Sequence, residues 1–230
     1  MTDSVPERSG RRPLKSRQWR LFQKLASSLA NSGVTPNAIS VASVAFAIAA
    51  GGCLTATTYY EAPVFRRCFW LLSAVMIQLR LIANLMDGMV AIEGGKKSAV
   101  GDLYNEVPDR LSDPAILIGA GFAWGSCPII GLTAALVAVF VAYVRAIGAS
   151  VGVGQIFLGP FAKQQRMALM TLVCFMSAVL PSEWQPIHAS TGLGICGAAL
   201  LVIILGCTLT AVRRLRQIAQ LMRERQEDSV

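Results

Sequence analysis

An all-α fold, a polytopic membrane bundle of six transmembrane helices led by an interfacial amphipathic helix, is what this sequence predicts, on three observations. Of 230 residues 54% are hydrophobic and only 15% charged, and a mean hydropathy of +0.54 is too apolar for an ordinary soluble domain. Several runs approach the roughly 20 apolar residues that a helix needs to cross hydrocarbon, where every backbone polar group must be bonded within its own segment. The net charge of +8 gathers mainly at the two ends, as it does where basic clusters face anionic lipid and the cytoplasm. Nucleic acid is not an expected partner, because the aromatic interleaving of a single-strand reader is absent.

Residues 1–13 are polar and basic without periodicity and read as a disordered tail. They do not resemble a signal peptide, since no short apolar core with a cleavage site follows them, and retention is expected. Over 14–32, Trp19, Phe22, Leu25, Ala26 and Leu29 recur at helical spacing against Lys15, Arg17, Arg20 and Lys24. That pattern suits a helix lying in the membrane interface. Thr35 and Pro36 supply an N-cap and a first-turn proline for a first span over 39–57. Further spans are expected near 69–92, 105–124, 128–150, 167–180 and 191–212, making 33–212 one transmembrane domain with a basic tail over 213–230.

The basic residues orient this bundle: the N-terminal helix, Lys96 and Lys97, Lys163 and Arg166, and the tail all fall on one side, which is read as cytoplasmic, with both termini there. Arg66 and Arg67 fall on the other side and count against the rule. Gly148, Gly152, Gly192, Gly194 and Gly197 suit close helix packing, within the chain or in a homodimer alike. The six cysteines form no C-x-x-C pair and read as small core residues, with a disulfide between Cys68 and Cys127 as the minor alternative.

Ionisable groups are expensive inside a membrane, so those present are candidates for function. Arg80, Asn84 and Asp87 are spaced by four and three residues, which puts them on one helical face, continued without bulk by Gly88 and Ala91. After Gly94 and Gly95, Asn105, Asp109 and Asp113 recur every fourth residue, with Glu106 beside them and Pro108 fitting a helix that begins near Asn105. A short loop would bring the two stripes face to face as a cluster of oxygen ligands. Such clusters suit Mg²⁺ or Mn²⁺, which hold substrate phosphates through a few carboxylates and water.

The spacing resembles that of the CDP-alcohol phosphotransferase family, whose second and third spans carry Asp-x2-Asp-Gly-x2-Ala-Arg-x8-Gly-x3-Asp-x3-Asp. Asn84, Asp87, Gly88, Ala91, Ile92, Gly101, Asn105 and Asp109 stand in register with it, five of the eight being identical. The resemblance implies transfer of a phosphatidyl or similar phosphoalcohol group from a CDP-linked donor, such as CDP-diacylglycerol, to an acceptor alcohol, with release of CMP. It also implies two divalent metal ions, with Asp87 and Asp109 as ligands, Asp109 as general base, and Gly88, Ala91 and Gly101 leaving room for the CDP moiety. A bacterial inner membrane enzyme of phospholipid biosynthesis is the expected setting.

Asn84 and Asn105 replace family acids, and Ile92 replaces the family's arginine. An amide oxygen still ligates a hard cation, but each replacement removes a negative charge. Glu106 and Asp113 are therefore read as additional ligands that restore it, and Arg145, Lys163 and Arg166 as candidates for holding substrate phosphate, by position in the family. Two other readings stand beside this one: a family-derived protein that binds CDP-lipid without turnover, and an ion-coupled transporter relaying through Arg80, Asp87 and Asp109.

Overall fold

The computed structural model describes residues 20–93 and 101–227, excluding side chains within them at Leu21, Ile92, Glu93, Asp102, Asn105 and Ser182. The tail over 1–13, the first residues of the amphipathic segment, and Gly94, Gly95, Lys96 and Lys97 lie outside the described residues. Seven α-helices follow one another: α1 (Arg20–Asn31), α2 (Pro36–Tyr59), α3 (Pro63–Glu93), α4 (Gly101–Gly121), α5 (Pro128–Ser150), α6 (Lys163–Val179) and α7 (Ile195–Glu227). Four of them, α2, α3, α5 and α7, are long and apolar enough to cross a membrane. The other two expected spans correspond to α4, which carries the acidic motif and two internal prolines, and α6, which has 17 residues.

Local sequence explains the ends. The Thr35 side chain accepts a hydrogen bond from the Ala38 amide at 3.2 Å, capping α2 ahead of Pro36. Helix α4 begins at Gly101, earlier than the proline at 108 suggests, so Pro108 lies inside it and deprives the Tyr104 carbonyl of its i+4 donor. Helix α7 runs unbroken past residue 212 because its apolar stripe continues through Ala211, Arg214 and Ile218, all buried. The basic segment after 212 is thus helical, not a separate tail, to Glu227.

The helices close into a ring: α2 packs on α3, α3 on α6, α6 on α7, α7 on α5, α5 on α4, and α4 back on α2. The core inside includes Ala47, Leu54, Trp70, Ile77, Ile116, Leu117, Val144, Met167, Met170, Leu200 and Ile203. Side chains such as Ile48, Leu71, Leu136, Phe175 and Leu205 are exposed on its outside. An apolar exterior over a packed core is the arrangement of a multi-pass membrane protein, in which lipid covers that outer surface. Helix α1 packs on α3, its Phe22, Ala26 and Leu29 joining Met86, Met89 and Val90 in a second, smaller core, with Leu25 exposed.

Glycine sets one contact in particular. A Cβ on Gly119 would stand 2.4 Å from the Gly51 Cα, so only two glycines allow α2 and α4 to cross this closely. Gly148 and Gly197 are likewise tight against neighbours within the chain. All six cysteines, Cys68 and Cys127 included, are free. At the ring end remote from the acidic motif, the Arg66 Nε donates to the Thr57 carbonyl at 3.2 Å and its guanidinium lies 4.7 Å from the Trp124 ring centroid. This cation, which runs against the charge rule, is held by a backbone dipole and an aromatic face.

Candidate active site

Successive antiparallel helices bring the polar residues to one end of the ring. The C-terminal half of α3 presents Arg80, Asn84 and Asp87, the middle of α4 presents Asp109 and Asp113, and the first turn of α6 presents Lys163 and Arg166. Backbones of α3 and α4 scarcely touch. Long cationic side chains bridge the interior that separates them.

Arg80 is fully buried, and its Nη2 donates to Asp109 Oδ1 at 3.0 Å and to Asp113 Oδ1 at 2.8 Å. Asn84 Nδ2 donates to the same Asp109 Oδ1 at 3.1 Å. Lys163 Nζ donates to Asp109 Oδ2 at 2.6 Å and to Asn84 Oδ1 at 2.5 Å, so a single ammonium joins the two. Arg166 donates through Nη2 to Asp113 Oδ2 and through Nη1 to the Phe161 carbonyl, the latter at 3.3 Å. Asp87, buried on the same face of α3, accepts from Ser40 Oγ of α2 at 2.7 Å. Buried charges persist when paired or hydrogen-bonded: Asp109 and Asp113 have both kinds of partner, and Asp87 has the Ser40 hydroxyl. Arg80 Nε and Nη1 and Arg166 Nε, also buried, find no acceptor among the described residues.

The loop before α6 fixes the two α6 cations. Gly159 has φ +119, where side chains other than glycine's rarely fit, and a Cβ there would stand 2.4 Å from Thr210 Cγ2 of α7. The chain is thereby pressed onto α7, and the Phe161 amide donates to Thr210 Oγ1 at 3.1 Å. Two residues later Lys163 opens the helix.

Glu106 belongs to a separate group. Its carboxylate accepts from Arg145 Nη2 of α5 at 2.6 and 2.8 Å and from Arg110 one turn along α4. Arg145 also lies 5.8 Å from the Phe157 ring centroid. Among the described residues, two arginines share this one half-exposed carboxylate.

For a divalent ion the donor set has the right chemistry, carboxylate and amide oxygen, and Mg²⁺ commonly needs only one or two protein carboxylates when substrate phosphates complete its shell. Among the described residues no three acidic, histidine or cysteine side chains converge as a ready-made cage. Asp87 forms no ion pair with a described cation, whereas Asp109, Asp113 and Glu106 each do. The residues present therefore fit a divalent ion at the Asp87 end.

Of the residues singled out from the sequence, Asn84, Asp109, Asp113, Lys163 and Arg166 meet in one network, Asp87 lies on the face of α3 that carries Asn84, and Glu106 and Arg145 pair elsewhere. Gly88 and Ala91 follow Asp87 along α3, and Gly101 is the first residue of α4. The side chains of Asn105 and Ile92 are not among those described. Sequence reasoning overlooked Ser40, a buried hydroxyl in an otherwise apolar span, and Arg110, whose i+4 spacing from Glu106 was there to be read. It also placed Arg214 in a cytoplasmic tail, whereas this buried guanidinium donates to the carbonyls of Leu158 and Val141 at 2.9 and 3.1 Å.

No family model matches the chain. Among curated proteins it is similar to the phosphatidylinositol phosphate synthase of Mycobacteroides abscessus, 23% identical over 191 residues that cover 80% of each chain. It is similar also to the archaetidylinositol phosphate synthase of Pyrococcus horikoshii, 22% identical over 69% of this chain and 78% of that one. The inner membrane protein YnbA of Escherichia coli is 24% identical over 66% of this chain and 72% of its own. Solved structures of the Mycobacterium tuberculosis phosphatidylinositol phosphate synthase share the fold. The complex with manganese and citrate superposes with a TM-score of 0.66 at 16% identity, covering 86% of this chain and 88% of that one. The form with CDP-DAG bound gives 0.67 at 17% identity, covering 87% and 94%.

Proposed function

We infer that this chain belongs to the CDP-alcohol phosphotransferase family, as a branch with asparagine at two of the acidic positions, and that it is a membrane enzyme of phospholipid biosynthesis. It transfers a phosphatidyl group from a CDP-linked donor such as CDP-diacylglycerol to an acceptor alcohol and releases CMP. The observation that carries this reading is the meeting of Asn84 and Asp109 from the two halves of the motif in one buried network, on a face of α3 that Asp87 extends. Two relatives are named for making inositol phosphate lipids, so a phosphorylated alcohol is the first acceptor to try.

The chemistry is displacement at phosphorus. The acceptor oxygen forms the new P–O bond as the anhydride bond to CMP breaks, CMP leaves with the bonding electrons, and the hydroxyl proton goes to a base. Asp109 is assigned that role. Arg80 and Asn84 hold its Oδ1, while Oδ2 has Lys163 as its one side-chain donor among the described residues and is assigned to meet the acceptor. Mg²⁺ or Mn²⁺, when bound, would supply charge neutralisation at the anhydride phosphates, and Asp87 and Asp109 are assigned to hold it, with the Asn84 and Asn105 amides assigned as further donors. Gly88, Ala91 and Gly101 are assigned to the space for the CDP moiety. Glu106 and Asp113, first considered as ligands, are assigned to holding cations: Glu106 aims Arg110 and Arg145, and Asp113 anchors Arg80 and Arg166. Arg145, Lys163 and Arg166 are the cations proposed to face substrate phosphate.

The same reading extends to placement. Six spans cross the bacterial inner membrane, with α4 and α6 sheltered by the more apolar helices, α1 lies in the interface, and both termini are cytoplasmic. The test is purified protein with Mg²⁺ or Mn²⁺, CDP-diacylglycerol and a panel of acceptors including inositol phosphate, glycerol phosphate and serine. Metal-dependent CMP release with one of them is the expected result. Absence of release with every acceptor would leave CDP-lipid binding without turnover.

A further inference from the structure

Among the described residues the cluster is electrically balanced. Asp87, Asp109 and Asp113 supply three negative charges, and Arg80, Lys163 and Arg166 supply three positive ones, in a region where four of these six residues are at most 5% exposed. Two divalent ions would add four further charges to a neutral, largely buried cluster, an arrangement that only substrate phosphates could offset. Two acids of the family motif, at Asn84 and Asn105, have meanwhile become neutral amides. The ammonium of Lys163 sits between Asn84 Oδ1 and Asp109 Oδ2, 2.5 and 2.6 Å away, bridging two motif oxygens as a bridging metal ion would. Asp87, one turn along the same face of α3 as Asn84, has no such partner among the described residues.

We propose that Lys163 stands in for one of the two divalent ions, so that this chain binds a single divalent ion at its Asp87 end while the Lys163 ammonium permanently fills the second cation position between Asn84 and Asp109. The loss of an acid at Asn84 is then the counterpart of Lys163: a monovalent, fixed cation needs less negative charge around it than a divalent one. This rests on the family reading given above, and its measure is metal count, which needs no turnover.

The experiment is Mn²⁺ titration of the full chain in lipid nanodiscs, followed by electron paramagnetic resonance and by metal analysis, for wild type, Asn84→Asp, and Asn84→Asp combined with Lys163→Met. One equivalent with the spectrum of an isolated ion is expected for wild type. Asn84→Asp alone should still bind one, because the ammonium remains. The double variant should bind two, with the spin coupling of ions about 3.5–4 Å apart. Two equivalents in wild type, or in Asn84→Asp with Lys163 intact, overturn the proposal and leave metal-dependent transfer standing, as does a count of one in a folded double variant. No bound Mn²⁺ in wild type overturns both.

Discussion

Arg80 holds two carboxylates on one nitrogen, and that makes it the side chain on which the ionic network most depends. Replacing it by Met keeps the bulk but leaves Asp109 and Asp113 short of a buried partner, a loss of about 3–5 kcal/mol; thermal melting in detergent should show a transition many degrees lower. Asp109→Asn should behave differently. It removes the proposed base and ligand while keeping hydrogen-bonding atoms, so CMP release should fall by about 10²-fold or more, a larger loss than any fall in melting temperature accounts for, and retained turnover would move the base elsewhere. Glu106→Gln separates two roles: if Glu106 aims Arg110 and Arg145, the Mg²⁺ concentration for half-maximal activity stays as in wild type while KM for donor or acceptor rises. A shifted Mg²⁺ requirement would return Glu106 to the ligands. At this scale the sequence was informative about which residues share a helix face, as with Asp109 and Asp113 four apart. It was silent on Lys163 reaching Asn84, because 79 residues separate them and only the fold decides that they meet.

Among the elements, the crossing of α2 and α4 is the tightest constraint. A methyl on Gly119 would meet backbone atoms of Gly51, which cannot rotate away as a side chain can. Gly119→Ala should therefore push the helices apart, costing about 1–3 kcal/mol and lowering CMP release as well, because α2 carries Ser40 and α4 carries Asp109; an unchanged melting temperature would show that the crossing relaxes freely. Helix existence was legible throughout, since apolar runs of that length have few alternatives in lipid. The ends were less so. Pro108 suggested a start near Asn105, but two internal prolines, Pro108 and Pro114, are tolerated inside α4, and the arginines after residue 212 looked like a tail although Ala211, Arg214 and Ile218 keep a buried stripe at helical spacing. Arginine at a buried position is invisible to a hydropathy reading, which counts its charge and not the two carbonyls that accept from it.

For the whole molecule, the proposed topology has both ends on the side that carries the ionic cluster, and reporter fusions at either terminus should report cytoplasm; an external reporter at one of them would break the six-span arrangement. The closed ring also bears on how the chain is made. Helices enter the membrane in order of synthesis, and α3 and α4 bring Asp87, Asp109 and Asp113 with Arg80, which among their described residues is the one cation paired with Asp109 and Asp113. The compensating charges, Lys163 and Arg166, arrive only with α6, which must slot between α3 and α7 to complete the circle. Among the described residues, a nascent chain halted after α5 thus carries more acid than base in this part of its interior, and the arrival of α6 turns that excess into a closed and neutral centre.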